Sequence, residues 1–401
     1  MSSPQRPRGH LPGEPGTATW LAEQTVIGAL LRSPQKIGLL ASWLGADAFA
    51  DPLHRGLFAA IDQRQNAGAL HPVDAPVAMW DMRPDDRQRS VANMIEVQFA
   101  LEAAADPAAP SVDVPALAEI AHAGTGVSDQ QLRTFGQMVL EGSVRRQLDG
   151  WGVHLQHAVA DVHATGRLDA AVLGKATDTV MNNLLELQTQ MSGRNARHTT
   201  VPGTFPPVGP APGMPPDQVA QAQRTVIGAV LTEPRWQHLL DRLQPEDFVG
   251  FPAHATTWQA MQEAALEGPL HPVTVAAASE RLSYQAMAGG MDLAPGLPVA
   301  QLQMLAAAPP RGTGRAVVDV AGAALAAHAG RARDQMQAAA ADPRRDATEA
   351  MDLAQVVVAR FAERATRLTR TDRSGSLSAR LDEPPIVPTP VSAPPGRSRG
   401  R

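Results

Sequence analysis

The sequence predicts an all-α protein made of two tandem copies of one small helical bundle, each followed by a helical hairpin. Three observations predict it. First, Thr25-Val26-Ile27-Gly28-Ala29 recurs as Thr225-Val226-Ile227-Gly228-Ala229, and 18 of the 49 positions from Thr25 to Val73 have an identical residue 200 positions on. Self-similarity at a fixed offset is the signature of repeated structural units. Second, Ala and Leu fill the apolar positions and aromatics are only 4% of the chain, a composition that favours helices over strands. Third, no strand-like alternation of any length occurs.

Within copy one, Trp20, Ile27, Leu30 and Leu31 mark the first helical face. Ser33-Pro34 reads as a helix start, with Ser at the N-cap and Pro in the first turn, and Ile37, Leu40 and Leu44 follow on one face. Asp51-Pro52 repeats that signal ahead of Leu53, Leu57, Phe58 and Ile61, and Gly68 ends the helix. Pro72-Val73-Asp74 reads as a short extended piece, with Asp74 capping the next helix. Copy two repeats these steps through Pro234, Leu239, Leu243, Pro252, Trp258, Met261, Gly268 and Pro272-Val273-Thr274.

Each copy then ends in two long helical patterns. Leu132, Phe135, Val139 and Leu148 lead to Leu155 and Val159, and Gly166 interrupts. Leu173, Thr177, Val180, Leu184, Leu187 and Met191 recur at alternating spacing of four and three, the seam of a hairpin or coiled coil. In copy two the Ala-rich stretch 316–341 forms the first arm, Pro343 marks the break, and Ala354, Val357, Phe361 and Leu368 follow the second. A two-helix arm has too few neighbours to bury both faces. The seam residues Leu173, Val180, Leu184 and Leu187 are therefore the expected hairpin interface, for self-association or for a partner.

Three segments read as disordered: 1–18, with Pro4, Pro7, Pro12 and Pro15; the linker 192–216, with seven prolines; and the basic, Pro-rich tail 371–401. They lack an apolar set to bury and lean toward extended conformations. Domains are thus expected at 19–191 and 217–370. Pro385-Ile386-Val387-Pro388 has the PxxP form, a weak signal in so Pro-rich a tail.

Charge is unevenly placed. Residues 20–191 hold 12 basic and 20 acidic side chains, 217–359 hold 10 and 15, and 360–401 hold 9 and 4. Acidic domains repel phosphates. Any nucleic-acid or acidic-partner contact is expected from Arg360, Arg364, Arg367, Arg370 and Arg373, which step along a helix end. The other reading of that stripe is a solvated helix face beside the C-terminal dipole. The chain has no cysteine, so disulfides and thiol chemistry are excluded and nothing argues for secretion. No signal peptide and no apolar run of about 20 residues is present, which makes a cytoplasmic protein the expectation.

No constellation suggests catalysis, a metal or a cofactor. His154, His157 and Asp161 share a helix face, but no fourth ligand is indicated. His54 and His254, like His71 and His271, occupy equivalent places in the repeat, which argues for roles in the fold, with His54 in a local hydrogen bond. The one Gly-Lys pair, Gly174-Lys175, is followed by Ala176 inside a helical pattern and makes no phosphate loop.

The segment Ala22-Glu23-Gln24-Thr25-Val26-Ile27-Gly28-Ala29-Leu30-Leu31, with Phe49, His54, Leu57-Phe58, Gly68 and Pro72-Val73-Asp74, resembles the opening of the N-terminal domain of DnaB-type replicative helicases. The start of the hairpin, Phe135 to Leu148 with Arg145-Arg146, is similar to the family's hairpin. Copy two resembles it through Gln223 to Leu231, Asp247-Phe248, His254, Trp258, Pro272-Val273-Thr274, Leu302, Leu305 and Pro309. It departs at Ala222-Gln223-Arg224, where the family has an acidic residue and Gln, and in a spacing from Phe248 to His254 one residue longer than from Phe49 to His54. The family's ATPase motor domain has no counterpart. In those helicases the resembling domain is an assembly module whose hairpins pair into a collar that binds primase. The resemblance therefore implies a non-catalytic assembly protein of DNA replication that contacts a replicative helicase, primase or itself. A DNA-binding regulator, using the basic tail with the helical domains as dimerisation units, is the alternative.

Overall fold

The computed structural model describes residues 17–73, 81–104, 112–164, 168–192, 214–291, 293–307 and 311–382, with the side chains of 163, 164 and 371–382 excepted. Every described regular element is helical, as the composition predicts. The chain forms two compact units: Met1–Ala160 with Ala171–Ala211 and His328–Glu363, and Asp161–Ala170 with Pro212–Ala327 and Arg364–Arg401. The division differs from the expected cut at the linker, because the first unit takes in His328–Glu363, which the repeat reading assigns to the second domain.

In the first unit, α1 (Ala18–Arg32) starts at Thr17, whose side chain accepts from the Trp20 N–H at 3.2 Å. Its face of Ala22, Val26, Ile27, Leu30 and Leu31 is buried, each leucine contributing about 2 kcal/mol by removal from water. The Ser33-Pro34 signal produces a six-residue 3-10 helix, Pro34–Leu39, with no side-chain cap from Ser33. A second 3-10 turn spans Ala46–Ala48. Asp51 caps α2 (Pro52–Asn66), accepting from Leu53 N–H at 2.8 Å. The sequence left α3 (Pro84–Ala104) and α4 (Val114–Ala123) unread. The expected cap Asp74 lies outside the described residues. The core joins α1, α2, α3 and α4 to the first turns of α5 (Asp129–Ala164) through Leu132, Val139 and Leu140. α6 (Ala170–Met191) completes the hairpin.

Helix α1 meets α4 at backbone distance. A Cβ on Gly28 would stand 2.4 Å from the Ile120 carbonyl oxygen, and one on Gly124 would stand 2.0 Å from the Ala29 nitrogen. Only glycine fits either place.

The second unit repeats this succession: α7 (Pro216–Thr232), a 3-10 turn Pro234–Trp236, α8 (Leu239–Arg242), a 3-10 turn Pro245–Asp247 and α9 (Pro252–Glu267). The 200-residue offset slips in the middle of this run. Fully buried Leu40, Leu44 and Phe49 have their counterparts in Leu239, Leu243 and Phe248, all buried, one residue earlier than the identities suggest. The extra residue before Pro252 restores the offset, beside Gly250 with φ +79°, a left-handed conformation that glycine adopts without strain. Pro272, read as part of an extended piece, instead opens α10 (Pro272–Ala288), capped by His271. Next come α11 (Val299–Ala307), α12 (Thr313–Ala341) and α13 (Ala347–Asp382). α13 continues past residue 370, where a disordered tail was expected. The segments 1–16, 193–213 and 383–401 lie outside the described residues.

Gly28 and its counterpart Gly228 give a direct test of the close helix approach. A Cβ on Gly228 would sit 3.1 Å from the Leu305 carbonyl oxygen, a contact that small shifts relieve. Alanine also gains roughly 1 kcal/mol of helix propensity over glycine. Gly228→Ala should leave the thermal midpoint nearly unchanged. Gly28→Ala should lower it by an amount equivalent to about 1–3 kcal/mol of overpacking, measured by circular dichroism on each variant.

Candidate interaction surface

The base of the first hairpin is fixed by a buried polar cluster. Glu23 of α1 is fully buried. Its carboxylate accepts from the Ala50 N–H at 2.7 Å and the Asp51 N–H at 3.2 Å. It also meets His54 Nδ1 at 3.2 Å. Arg146 of α5 reaches the same carboxylate at 3.9 Å and donates to the Ala48 carbonyl at 2.5 Å. Burial pulls the Arg146 pKa below its ordinary value, while Glu23 opposes that shift. An uncompensated buried charge costs several kcal/mol, so Glu23 and Arg146 hold each other in place and thereby hold α5 on the bundle. The His54 side chain is thus bonded to a residue 31 positions away, where a local bond was expected.

The second unit solves the same problem with different residues. Gln223 replaces Glu23 and takes His254 Nδ1 at 2.7 Å, while its amide donates to the Val249 carbonyl at 3.1 Å. The departure Ala222-Gln223-Arg224 therefore keeps the hydrogen bond in a neutral form. The charge moves elsewhere. Asp247, fully buried, is held by Arg367 of α13 at 2.7 and 3.4 Å. Arg367 also donates to the Arg242 carbonyl at 2.8 Å, and Arg364 pairs with Glu246 at 3.0 Å.

The hairpin of the first unit is covered by helix from the far end of the sequence. Arg145 donates to the carbonyls of Ala340, Asp342 and Arg345 at 2.8, 3.0 and 2.7 Å, satisfying an orphan acceptor in the last turn of α12 and gripping the loop after it. Arg333 meets Gln156 at 3.1 Å, and a Cβ on Gly152 would lie 2.9 Å from the Arg333 Cα. Residue pairs 145–340 and 156–333 run in opposite senses, so this part of α12 lies antiparallel to α5. Gln188 of α6 bonds Asp352 and Gln355 of α13 at 3.4 and 3.3 Å. The seam residues Leu173, Val180, Leu184 and Leu187 are all buried within this arrangement.

The other expected residues separate. Of the arginine stripe, Arg364 and Arg367 point to carboxylates of their own unit, which corrects the picture of one free basic face. Arg360 and Arg370 are exposed, and the side chain of Arg373 lies outside the described residues. His154 and His157 stay on one helix, with the His154 pKa lowered by burial and then by His157. Among the described residues no group of His, Asp or Glu is placed to hold a metal ion. No helix among them is long and apolar enough to cross a membrane. Arg145, Arg146 and Glu23 were visible in the sequence only as parts of the resemblance. Their spatial partners lie too far along the chain for periodicity to reveal.

Residues 18–121 match the family model of the DnaB-like helicase N terminal domain, a stretch that runs from α1 into α4 and ends before the hairpin. Comparison with curated proteins and with solved structures finds no match.

Removing the Arg367 side chain leaves Asp247 buried without its cation, a loss on the order of 3–5 kcal/mol. Arg367→Ala should therefore lower the thermal midpoint clearly, whereas exposed Arg360→Ala should not. Equal, unchanged melting of both variants would show that Arg367 is a free surface charge.

His254 predicts an acid dependence. Burial, followed by repulsion from Arg224, lowers its pKa from 6.5 to about 4. Between those values the unfolded chain binds the extra proton and the folded chain does not. The stability linked to His254 is complete above about pH 6.5 and is lost as pH falls toward about 4. Urea titrations of wild type and His254→Gln across that window should show a steeper loss in wild type. Parallel curves would remove His254 as the cause.

Proposed function

We propose that this chain is a non-catalytic assembly protein of DNA replication, built from two tandem copies of a helicase-collar-like domain. The observation that carries this reading is the combination of the family match over residues 18–121 with helix of the second hairpin packed along the first through Arg145, Gly152 and Gln188. In the helicases that the domain resembles, such hairpins pair between subunits. Here a pairing of the same kind is supplied within one chain. The chain then presents its collar-like bundles already joined, and it needs no nucleotide and no catalytic side chain to do so. The same reading gives a cytoplasmic protein whose partners are the replicative helicase, primase or a second copy of itself.

The basic-tail alternative loses support from Arg364 and Arg367, two of its five arginines, which are engaged by Glu246 and Asp247.

The test uses the purified full chain, with the replicative helicase and primase of the same organism, after nuclease treatment. We expect a complex with one of them, or a defined oligomer of the chain itself, by sedimentation. A lone monomer that binds neither would overturn the assembly reading. Recovery that vanishes with nuclease would favour the DNA-binding alternative. ATP turnover that disappears on a single substitution in this chain would end the non-catalytic assignment.

A further inference from the structure

The corner that Arg367 and Arg364 fill in the second unit is open in the first. The counterparts follow from the elements. The 3-10 turn Ala46–Ala48 matches Pro245–Asp247, each capped by a phenylalanine, so Asp47 stands where Glu246 does and Ala48 where Asp247 does. Along the second hairpin helices, buried Val180 and Leu184 match buried Val357 and Phe361, and half-buried Met191 matches buried Leu368. That register puts Leu187 in the place of Arg364 and Gln190 in the place of Arg367.

The N-terminal corner has thus lost both arginines and the more buried carboxylate together. It keeps the other carboxylate, Asp47, which has no ion-pair partner among the described residues. What remains is a cleft of about 310 Å³, lined by Ala48, Gln190, Asp47, Asp62, Trp43 and Phe58 among others, with no Lys or Arg in its wall. Trp43 replaces Arg242, and Asp62 replaces Gln262. The cleft therefore combines two carboxylates with aromatic surface in a segment, 20–191, that carries eight more acidic than basic side chains.

We propose that this cleft is a docking pocket for an arginine side chain of a partner polypeptide. A guanidinium suits it on three counts. Its planar fork donates to carboxylates with fixed geometry. Its face stacks on indole. In the second unit, the matching corner is occupied by guanidinium groups bonded to Glu246, Asp247 and the Arg242 carbonyl. The residue whose carbonyl takes that last place in the first unit is Trp43. The proposal rests on the reading of this chain as an assembly protein, and it names the chemistry of one contact. The small-peptide experiment below does not depend on which large partner is found.

The probe is the blocked tripeptide acetyl-Gly-Arg-Gly-amide, titrated into the ¹⁵N-labelled full chain. The Trp43 indole signal is assigned with Trp43→Phe. We expect that signal to shift with the arginine peptide and to stay in place with the citrulline peptide. Affinity should fall roughly tenfold in Asp47→Asn/Asp62→Asn, the scale of a lost charge-assisted hydrogen bond. The pair Ala48→Asp/Gln190→Arg rebuilds the second unit's ion pair, and it should close the cleft and abolish the shift without lowering the thermal midpoint. The proposal fails if the Trp43 signal does not move, if citrulline or lysine peptides act equally, or if the Asn pair binds as wild type does. Should the rebuilt variant not fold, the Asn pair carries the decision. A chain that binds the peptide yet joins neither helicase, primase nor itself would keep the pocket and lose the assembly function.

Discussion

A hairpin of two helices has more apolar surface than it can hide, and the structure depends on how that surplus is covered. α6 presents a seam of large aliphatic residues, of which Leu173, Val180, Leu184 and Leu187 are buried. Helix from the other end of the sequence supplies the missing neighbours. Since association between separate molecules costs several kcal/mol of translational and rotational freedom, a neighbour on the same chain covers the seam at a smaller entropic loss, and at any concentration. The approach of α5 to α12 is close because position 152 is glycine: its absent side chain leaves room for the Arg333 backbone.

Buried polar groups tie a hairpin helix to each bundle. Glu23 and Arg146 tie α5 to the 3-10 turn at Ala48 in the first unit, and Asp247 and Arg367 tie α13 to the equivalent turn in the second. Both anchors join the same turn to the hairpin but use opposite arms of it. A buried pair tolerates little displacement, because each charge is left uncompensated when the other moves. That makes the turns at 46–48 and 245–247 the points where each bundle grips a hairpin helix.

Much of the helical plan was legible in local patterns. The Pro-initiated helices at 52 and 252, the breaks near 166 and 343, and the seam from Leu173 to Leu187 all follow from spacing and caps. α3 and α4 were not legible: α3 has apolar residues spread around its circumference, with Ile95 and Phe99 exposed, so no stripe marks it. The slip of one residue between Leu40 and Phe49 was hidden by coincidental leucine and aspartate identities, and burial reveals it. The anchors were illegible for a different reason. Arg145 and Ala340, Arg367 and Asp247 lie more than a hundred residues apart, and charge alone does not say which arginine meets which acceptor. Read from sequence, the arginine stripe is a surface feature; its burial partners exist only in the fold.

The two halves diverge by paired changes. Where Asp247 becomes Ala48, Arg367 becomes Gln190; where Gln223 becomes Glu23, the cation that faces it is Arg146. Losing one member of a buried ion pair is costly, while losing both is nearly neutral, so such changes are tolerated in pairs. The relocation of the anchor from α13's position to α5's leaves the first unit with a corner that its own fold no longer needs to fill. There Asp47 is exposed, Trp43 half-buried and the cleft open. Trp43 packs against the core and donates its indole N–H to the Leu39 carbonyl at 3.0 Å, which leaves its outer face and Asp47 at the surface of the cleft. A corner freed from holding the hairpin is the part of this bundle that can change its chemistry without changing its shape.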